Sequence, residues 1–495
     1  MRYLVTAEEM RRYDQYTIEK IGIPAMVLME RAALAAFNAA DKYFTDHKEA
    51  PRTVLVMAGP GNNGGDGLAL ARLLSEKDYR VEVWFVGEES RTSEQWKAQR
   101  KILASYPVDF STNPIKSEYT ILIDAMFGVG LSREMTGIYG DAADLFNKLA
   151  GYKIALDLPS GIDSDTGKIW GKAVCADETV TFGFCKRGLV LYPGCLMAGK
   201  VTTADIGITE RSFREGVPGM YALDQKTEEL LPVRDVRGNK GSFGKVLFVA
   251  GSVNMAGAAI LSAKAAYRMG AGMVKVITPE ENRVILQQAV PEALLGTEAD
   301  LEAGLDWADV IAVGPGIGKS TKAKELLEKI LINSKLPLLI DADGLNLVAE
   351  NQELRRLVLK EGSKGREIVL TPHVGELARL LKKNINEVKE HPVDCGSELA
   401  MELQTVVAAK DARTFICKKG KPICVNLTGN SGLATAGSGD VLAGMIAGLM
   451  AQGMNAYEAA CVGTCIHGRA GDKVKAEIGE HACMAGDLLD TIIGK

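Results

Sequence analysis

The sequence predicts an α/β protein of two domains, each built on a parallel sheet. Three observations predict it. Short apolar runs alternate with helix-like stretches along the whole chain, the pattern of strands joined by helical crossovers. The 495 residues exceed what one hydrophobic core serves. The alternation weakens once, between Ile208 and Lys240, where turn formers gather and no strong apolar run occurs. That segment places a boundary near 215–225 and sets domains of 1–218 and 219–495.

The strands follow in order. Thr53–Ala58 (TVLVMA), Val81–Val86 (VEVWFV), Thr120–Ile123 and Ile154–Leu156 read as buried strands of the first domain. Val246–Ala250, Val274–Ile277, Val310–Val313, Leu338–Ile340 and Ile368–Leu370 do so in the second. Leu68–Ser75 and Ala256–Met269 carry helical spacing between them. The two halves show no shared repeat, so they read as different domains.

Composition narrows the function. Hydrophobic residues make up 47% and charged residues 24%, the balance of a globular protein. A net charge of -5, with no block of like charge, gives no footing for nucleic acid. The charged start lacks the apolar core of a signal peptide, and no apolar run reaches the roughly 18 residues of a membrane span. Nine cysteines without a CxxC pair suit reduced thiols in a cytoplasmic protein and offer no zinc spacing.

The first chemical signal follows Thr53–Ala58. Gly59-Pro60-Gly61-Asn62-Asn63-Gly64-Gly65-Asp66-Gly67 leads into a helical stretch. Five glycines remove Cβ atoms that would hold a phosphate off the backbone, and the helix offers free N–H groups. The Gly-Lys-Ser/Thr ending of a P-loop is missing, and the spacing differs from the dinucleotide fingerprint. Asp124 and Asp157 each close an apolar strand and are expected to face the same crevice. Asn63, Asp124 and Ser160, with backbone carbonyls, would suit a hard cation. Taken singly, each aspartate also reads as a helix or turn cap.

The second signal is Asn430-Ser431-Gly432-Leu433-Ala434-Thr435-Ala436-Gly437-Ser438-Gly439-Asp440 before an apolar helix. Backbone N–H groups there can hold charge developing on a phosphoryl group, and Asp440 can act as a base. Its plain alternative is an N-cap. Lys240–Lys245, Gly314–Gly318, His373 and Lys410-Asp411-Ala412-Arg413-Thr414 look active as well. His373 reads equally as a structural histidine, and Lys410–Thr414, which reads as following an apolar helix, equally as a solvated turn.

GPGNNGGDGLALAR, LDLPSGIDSDTG, GSFGKVLFVAGS, LTPHVGE and NSGLATAGSGDVLAG stand in one order along nearly the whole chain. In this the chain resembles the bifunctional NAD(P)H-hydrate repair enzymes. The resemblance implies a Rossmann-like three-layer domain of the YjeF N-terminal type, followed by a ribokinase-like domain. It implies an epimerase that interconverts the R and S hydrates of NADH and NADPH. It also implies an ADP-dependent dehydratase that returns the S form to NAD(P)H, releasing AMP and phosphate.

Carried over, the resemblance places hydrate on Asn62, Asn63, Gly64, Gly65, Asp66, Gly128, Val129, Gly130, Leu131, Ser132, Arg133, Glu134 and Asp157. It places K+ on Asn63, Asp124 and Ser160. In the second domain it places hydrate near Gly316, His373 and Asp440, and ADP on Lys410–Thr414 and Asn430–Gly439. Asp157 would be the acid/base of epimerisation, and Asp440 the base of dehydration. Mg2+ is expected with the ADP phosphates. Small-molecule partners and a homo-oligomer are expected, with neither nucleic acid nor membrane. Asn239 departs from the His often found before Lys-Gly in the family. The rival reading is a ribokinase-like small-molecule kinase fused to a ligand- or partner-binding module.

Overall fold

The computed structural model describes residues 1–116 and 118–492. The chain divides into two compact units, Tyr3–Gly219 and Met220 onward, the latter including Met1–Arg2.

The first unit contains β1 (Arg2–Val5), α1 (Ala7–Tyr16), α2 (Ala25–Asp46), β2 (Thr53–Ala58), α3 (Asn62–Ser75), β3 (Arg80–Phe85), α4 (Glu94–Leu103), β4 (Asp109–Ser111), β5 (Glu118–Ala125), α5 (Gly137–Lys148), β6 (Ala150–Leu156), β7 (Glu178–Phe182), β8 (Cys185–Lys186) and β9 (Lys200–Ala204). Its main sheet runs β4-β3-β2-β5-β6-β7-β9, with every pair parallel. Side chains alternate across a strand, and β2 shows the consequence. Val54 and Val56 enter the core shared with α2 and α3, while Leu55 and Met57 enter a second core with Phe146 of α5. A strand covered on both faces must be apolar throughout, which is why TVLVMA carries no alternation.

The second unit contains β10 (Met220–Ala222), β11 (Lys245–Val249), α6 (Ala256–Arg268), β12 (Met273–Ile277), α7 (Arg283–Ala289), β13 (Leu294–Gly296), α8 (Leu301–Trp307), β14 (Val310–Val313), α9 (Thr321–Asn333), β15 (Leu338–Ile340), α10 (Asp343–Glu350), α11 (Gln352–Ser363), β16 (Ile368–Leu370), α12 (Val374–Leu381), α13 (Ile385–Glu390), α14 (Pro392–Leu403), β17 (Val406–Ala409), β18 (Thr414–Cys417), β19 (Ile423–Asn426), α15 (Ser438–Ala451), α16 (Ala456–Ile478) and α17 (Ala485–Thr491). The strands are ordered β13-β12-β11-β14-β15-β16-β17-β18-β19-β10.

The expectation of a parallel sheet needs one correction here. β17, β18 and β19 pair antiparallel. Ala409 pairs with Phe415 across the short 410–413 connection, and so short a link cannot carry a parallel crossover. β10 also lies where no strong apolar run was read, because three buried residues leave almost no periodic signal. Helix α15 lies close on α6. A Cβ at Gly444 would stand 2.2 Å from the Ser262 carbonyl oxygen, so only glycine permits the approach.

Candidate functional sites

In the first unit the site forms where the parallel strands end. Helix α3 starts at Asn62, earlier than the sequence pattern suggested, so Asn62–Asp66 is its first turn rather than a loop. This changes what the glycines do. A Cβ at Gly59 would stand 2.1 Å from the Met126 carbonyl oxygen, and one at Gly64 1.9 Å from the Gly59 carbonyl oxygen. Gly65 and Gly67 are similarly closed off, by the Met29 side chain at 2.8 Å and the Ala125 methyl at 2.6 Å. Four of the five glycines therefore serve close packing: Gly59 against the end of β5, Gly64 against Gly59, Gly67 against β2 and β5, and Gly65 against α2. Only Gly61 faces open space, and it is the one that leaves room for a ligand.

A cavity of about 560 Å³ lies above this turn. Asn62, Asn63, Asp66, Gly128, Val129, Gly130 and Asp157 line it, and Gly64 and Gly65 do not. Leu131, Ser132, Arg133 and Glu134 line a neighbouring cleft of about 200 Å³ that shares Pro60, Arg91, Phe127 and Gly130 with the first.

Asp157 ends β6 in the left-handed region, at φ +67, an uncommon conformation for a residue with a side chain. Its carboxylate forms an ion pair with Lys186, which is 1% exposed. Oδ1 also accepts from the Thr181 hydroxyl and the Phe182 N–H, both at 3.3 Å. Oδ2 points towards Gly128, where a Cβ would lie 3.0 Å away. Asp14 of α1 and Asp66 share the cavity. Burial lifts the Asp66 carboxyl well above the usual range, reinforced by the charges of Asp157 and Asp14 and opposed by Lys186. Asp14 is raised too, first by burial and then by Asp157, against the pull of Lys186.

Beside them, Asp124 is fully buried. It accepts from the Ser160 N–H and hydroxyl at 2.7 Å each and from the Met126 N–H at 3.1 Å. Burial pushes its carboxyl up to about 6, against those hydrogen bonds. Asn63 is 8% exposed, and both polar atoms of its side chain lack a hydrogen-bond partner among the described residues. A buried amide left unpaired is costly unless a ligand completes it.

Sequence reasoning missed Lys186, Asp14 and Arg11, which donates to the Val129 carbonyl at 3.1 Å. Lys186 had a readable signal, a lone cation inside TVTFGFCK. Asp14 and Arg11 had none, because their cavity face exists only once α1 is docked.

In the second unit the chemistry gathers at the ends of β14 to β17. Gly437 caps α15 at φ +90, and Ser438, Gly439 and Asp440 make the first turn; the Ser438 N–H donates to the Thr435 carbonyl at 3.3 Å, while the Gly439 and Asp440 N–H groups have no backbone partner one turn back among the described residues. Asp440 is thus not the N-cap. Burial lifts its carboxyl to about 6, with Asp341 and Asp343 adding to the rise and Lys410 opposing it. The Lys410 ammonium lies 3.4 Å from where a Gly439 Cβ would be and bonds Asp341 at 3.0 Å. His467 of α16 is buried under the turn, 3.0 Å from the Ser438 carbonyl oxygen, and burial drives its imidazole down to about 4. The sequence reading did not include His467.

His373 is the N-cap of α12. Its Nδ1 accepts from the Gly375 and Glu376 N–H groups, and the Glu376 carboxylate returns to its backbone N–H at 2.9 Å. Gly316 turns at φ +63 against Ala258. Asp411 and Ala412 are exposed in the hairpin, Arg413 is partly buried, and Thr414 is buried within β18. Asn430 is fixed by Asp472 at 2.9 Å, and the Ser431 hydroxyl bonds Glu480. Ala434 and Ala436 are exposed, while Gly432 is packed against Glu480 and Cys483. Lys240–Lys245 does not join this group. It leads into the start of β11, at the end of the sheet opposite these strand ends, where the Asn239 side chain closes a turn on the Gly241 N–H at 2.8 Å.

Comparison with known proteins adds the following. Residues 246–494 match a family model described as NAD(P)H-hydrate dehydratase, and residues 25–188 match one described as YjeF-related protein N-terminus. A bifunctional NAD(P)H-hydrate repair enzyme of Moorella thermoacetica is 35% identical over 99% of this chain and 95% of its own length. That of Coxiella burnetii is 36% identical over 99% and 98%. A solved ADP/ATP-dependent NAD(P)H-hydrate dehydratase of Bacillus subtilis, co-crystallised with ATP and Mg2+, is similar to 53% of this chain and covered over 92% of its own, at 28% identity and a TM-score of 0.47.

Proposed function

The chain belongs to the bifunctional NAD(P)H-hydrate repair enzymes, and from that premise we propose how its own residues divide the two reactions. It is an NAD(P)H-hydrate epimerase and an NAD(P)H-hydrate dehydratase in one polypeptide.

The epimerase step belongs to the Asp14–Asp66–Asp157–Lys186 cavity. The hydrate's hydroxyl-bearing carbon adjoins the ring nitrogen, whose lone pair can expel that hydroxyl as water once it is protonated. Asp66, whose carboxyl burial raises well above the usual range, gives the proton. Asp157, held by Lys186, takes one from the water that adds to the other face. Arg11 and Arg91 border the cavity and would meet the dinucleotide's phosphates.

A potassium ion fits beside this cavity because the buried Asn63 amide is unpaired. Asn63, Asp124 and Ser160 would hold it, as hard oxygen donors suited to such a cation. It would supply positive charge near the substrate's anionic groups.

The dehydratase step belongs to the first turn of α15. ADP lies on Lys410–Thr414 and Asn430–Gly439, and Mg2+ arrives with its phosphates. Asp440 takes the proton of the hydrate hydroxyl, and that oxygen bonds the β-phosphorus as AMP leaves. The first-turn N–H groups steady the phosphoryl group. Phosphate then departs with loss of a proton from the neighbouring ring carbon, giving NAD(P)H.

The observation that carries the reading is that Asp440 is free of capping while set among an ammonium and first-turn N–H groups. Supplying R and S hydrates with ADP or ATP, and following cofactor absorbance and free phosphate, tests it. Recovery of both epimers with free phosphate supports it. A stable phosphorylated product would favour the kinase alternative.

A further inference from the structure

We propose that Asp341 is a positioning residue of the dehydratase, holding the Lys410 ammonium against the Gly437–Asp440 turn, where it meets the negative charge of the phosphoryl group in transfer. The inference rests on the dehydratase reading above.

Asp341 follows β15 and is 1% exposed. Its Oδ1 accepts from the Thr371 hydroxyl at 2.6 Å and from Lys410 Nζ at 3.0 Å. Thr371 follows β16 and Lys410 follows β17, so three adjacent strand ends meet on one carboxylate. The backbone of Asp341 is itself fixed. Its N–H donates to the Val313 carbonyl at 3.1 Å, and its carbonyl accepts from Gly344 at 2.9 Å. A Cβ at Gly314 would stand 1.8 Å from that carbonyl oxygen, and Ala342 beside it lies at φ +48. Lys410 is anchored by its N–H to the Pro372 carbonyl at 2.8 Å.

A lysine side chain has many rotamers, and a buried ion pair seldom stabilises a fold more than apolar packing would. This pair does something packing cannot. It selects the one arrangement that places Nζ 3.4 Å from the position of a Gly439 Cβ. Asp341, Glu376 and Asp440 all act on the single Lys410 ammonium. Without it, those carboxylates would repel an incoming phosphoryl group.

The test measures dehydration of the S hydrate with ADP by the full chain and by Asp341→Asn, Lys410→Met, their double variant and Asp440→Asn. Asp341→Asn is expected to lower kcat about 10- to 100-fold, and to add nothing in the Lys410→Met background, because one acts through the other. Epimerisation by the same chains stays unchanged and reports folding of the first unit, while thermal unfolding reports the second. The proposal is overturned if Asp341→Asn keeps kcat within about twofold, or if the two losses multiply in the double variant. If Asp341→Asn does not fold, Asp341→Glu decides: the longer arm displaces the ammonium and is expected to lower kcat, and an unchanged kcat overturns the proposal. Full dehydration by Asp440→Asn would instead remove the reading beneath it. An inactive Asp440→Asn with a fully active Asp341→Asn removes this inference alone.

Discussion

Asp440 and Lys186 are the two residues whose surroundings say most about what they do. Asp440 must be ionised to accept a proton, and burial with Asp341 and Asp343 nearby raises its carboxyl to about 6. Dehydration kcat/KM is therefore expected to be level above that pH and to fall about tenfold per unit below it, as the base becomes protonated. Asp440→Asn should remove the acid limb and lower kcat by about 10²- to 10⁴-fold while epimerisation proceeds. A pH–rate profile with both hydrates checks both statements. Lys186 makes a different case. It is a buried ammonium paired with a buried carboxylate, and removing one partner leaves the other uncompensated. Lys186→Met is expected to destabilise the first unit by about 3–5 kcal/mol and to abolish epimerisation. Thermal unfolding together with the S-to-R rate measures it; an unchanged midpoint would mean that water reaches the pair.

At the scale of elements, α3 shows what the sequence could and could not convey. The strand TVLVMA and the glycine cluster after it were legible, because an unbroken apolar run and five glycines are local signals. The role of those glycines was not, because it depends on what lies opposite. A Cβ at Gly64 would stand 1.9 Å from the Gly59 carbonyl oxygen within the turn, and one at Gly67 2.6 Å from the Ala125 methyl on β5. The antiparallel β17–β18 hairpin was not legible: the sequence reads an apolar helix before Lys410–Thr414 where the structure has strand β17, because a run as short and apolar as TVVAA does not separate helix from strand. The first-turn amides of α15 were legible from Gly-Ser-Gly-Asp, but His467 beneath them, 29 residues on, was not. The helix packing yields its own prediction. Gly67→Ala should cost about 1–3 kcal/mol by overpacking and lower epimerisation. Gly61→Ala, with open space and φ -86, should leave the unfolding midpoint unchanged and weaken only hydrate binding. Comparing midpoints with KM for the two variants separates packing from ligand contact.

At the scale of the molecule, the groups proposed for each step fall within one unit. Asp14, Asn63, Asp66, Asp124, Asp157 and Lys186 all belong to Tyr3–Gly219, and Asp341, Lys410, Asp440 and His467 all belong to the unit from Met220 onward. On that proposal, one polypeptide need not perform both steps. Consider two variants, Asp157→Asn with an intact dehydratase and Asp440→Asn with an intact epimerase. Supplied with R hydrate and ADP, each alone should recover cofactor no faster than the uncatalysed epimerisation or dehydration allows. Mixed in equal amounts, they should recover it fully, since the S hydrate released by one site can diffuse to the other. The absorbance of reduced cofactor, followed against the concentration of the second variant, gives the result. A rate that rises with that concentration to a plateau set by epimerisation is what two self-sufficient sites require. Failure of the mixture, with each variant's remaining activity intact, would mean that hydrate does not pass freely between molecules and that joining the two domains in one chain serves the chemistry itself.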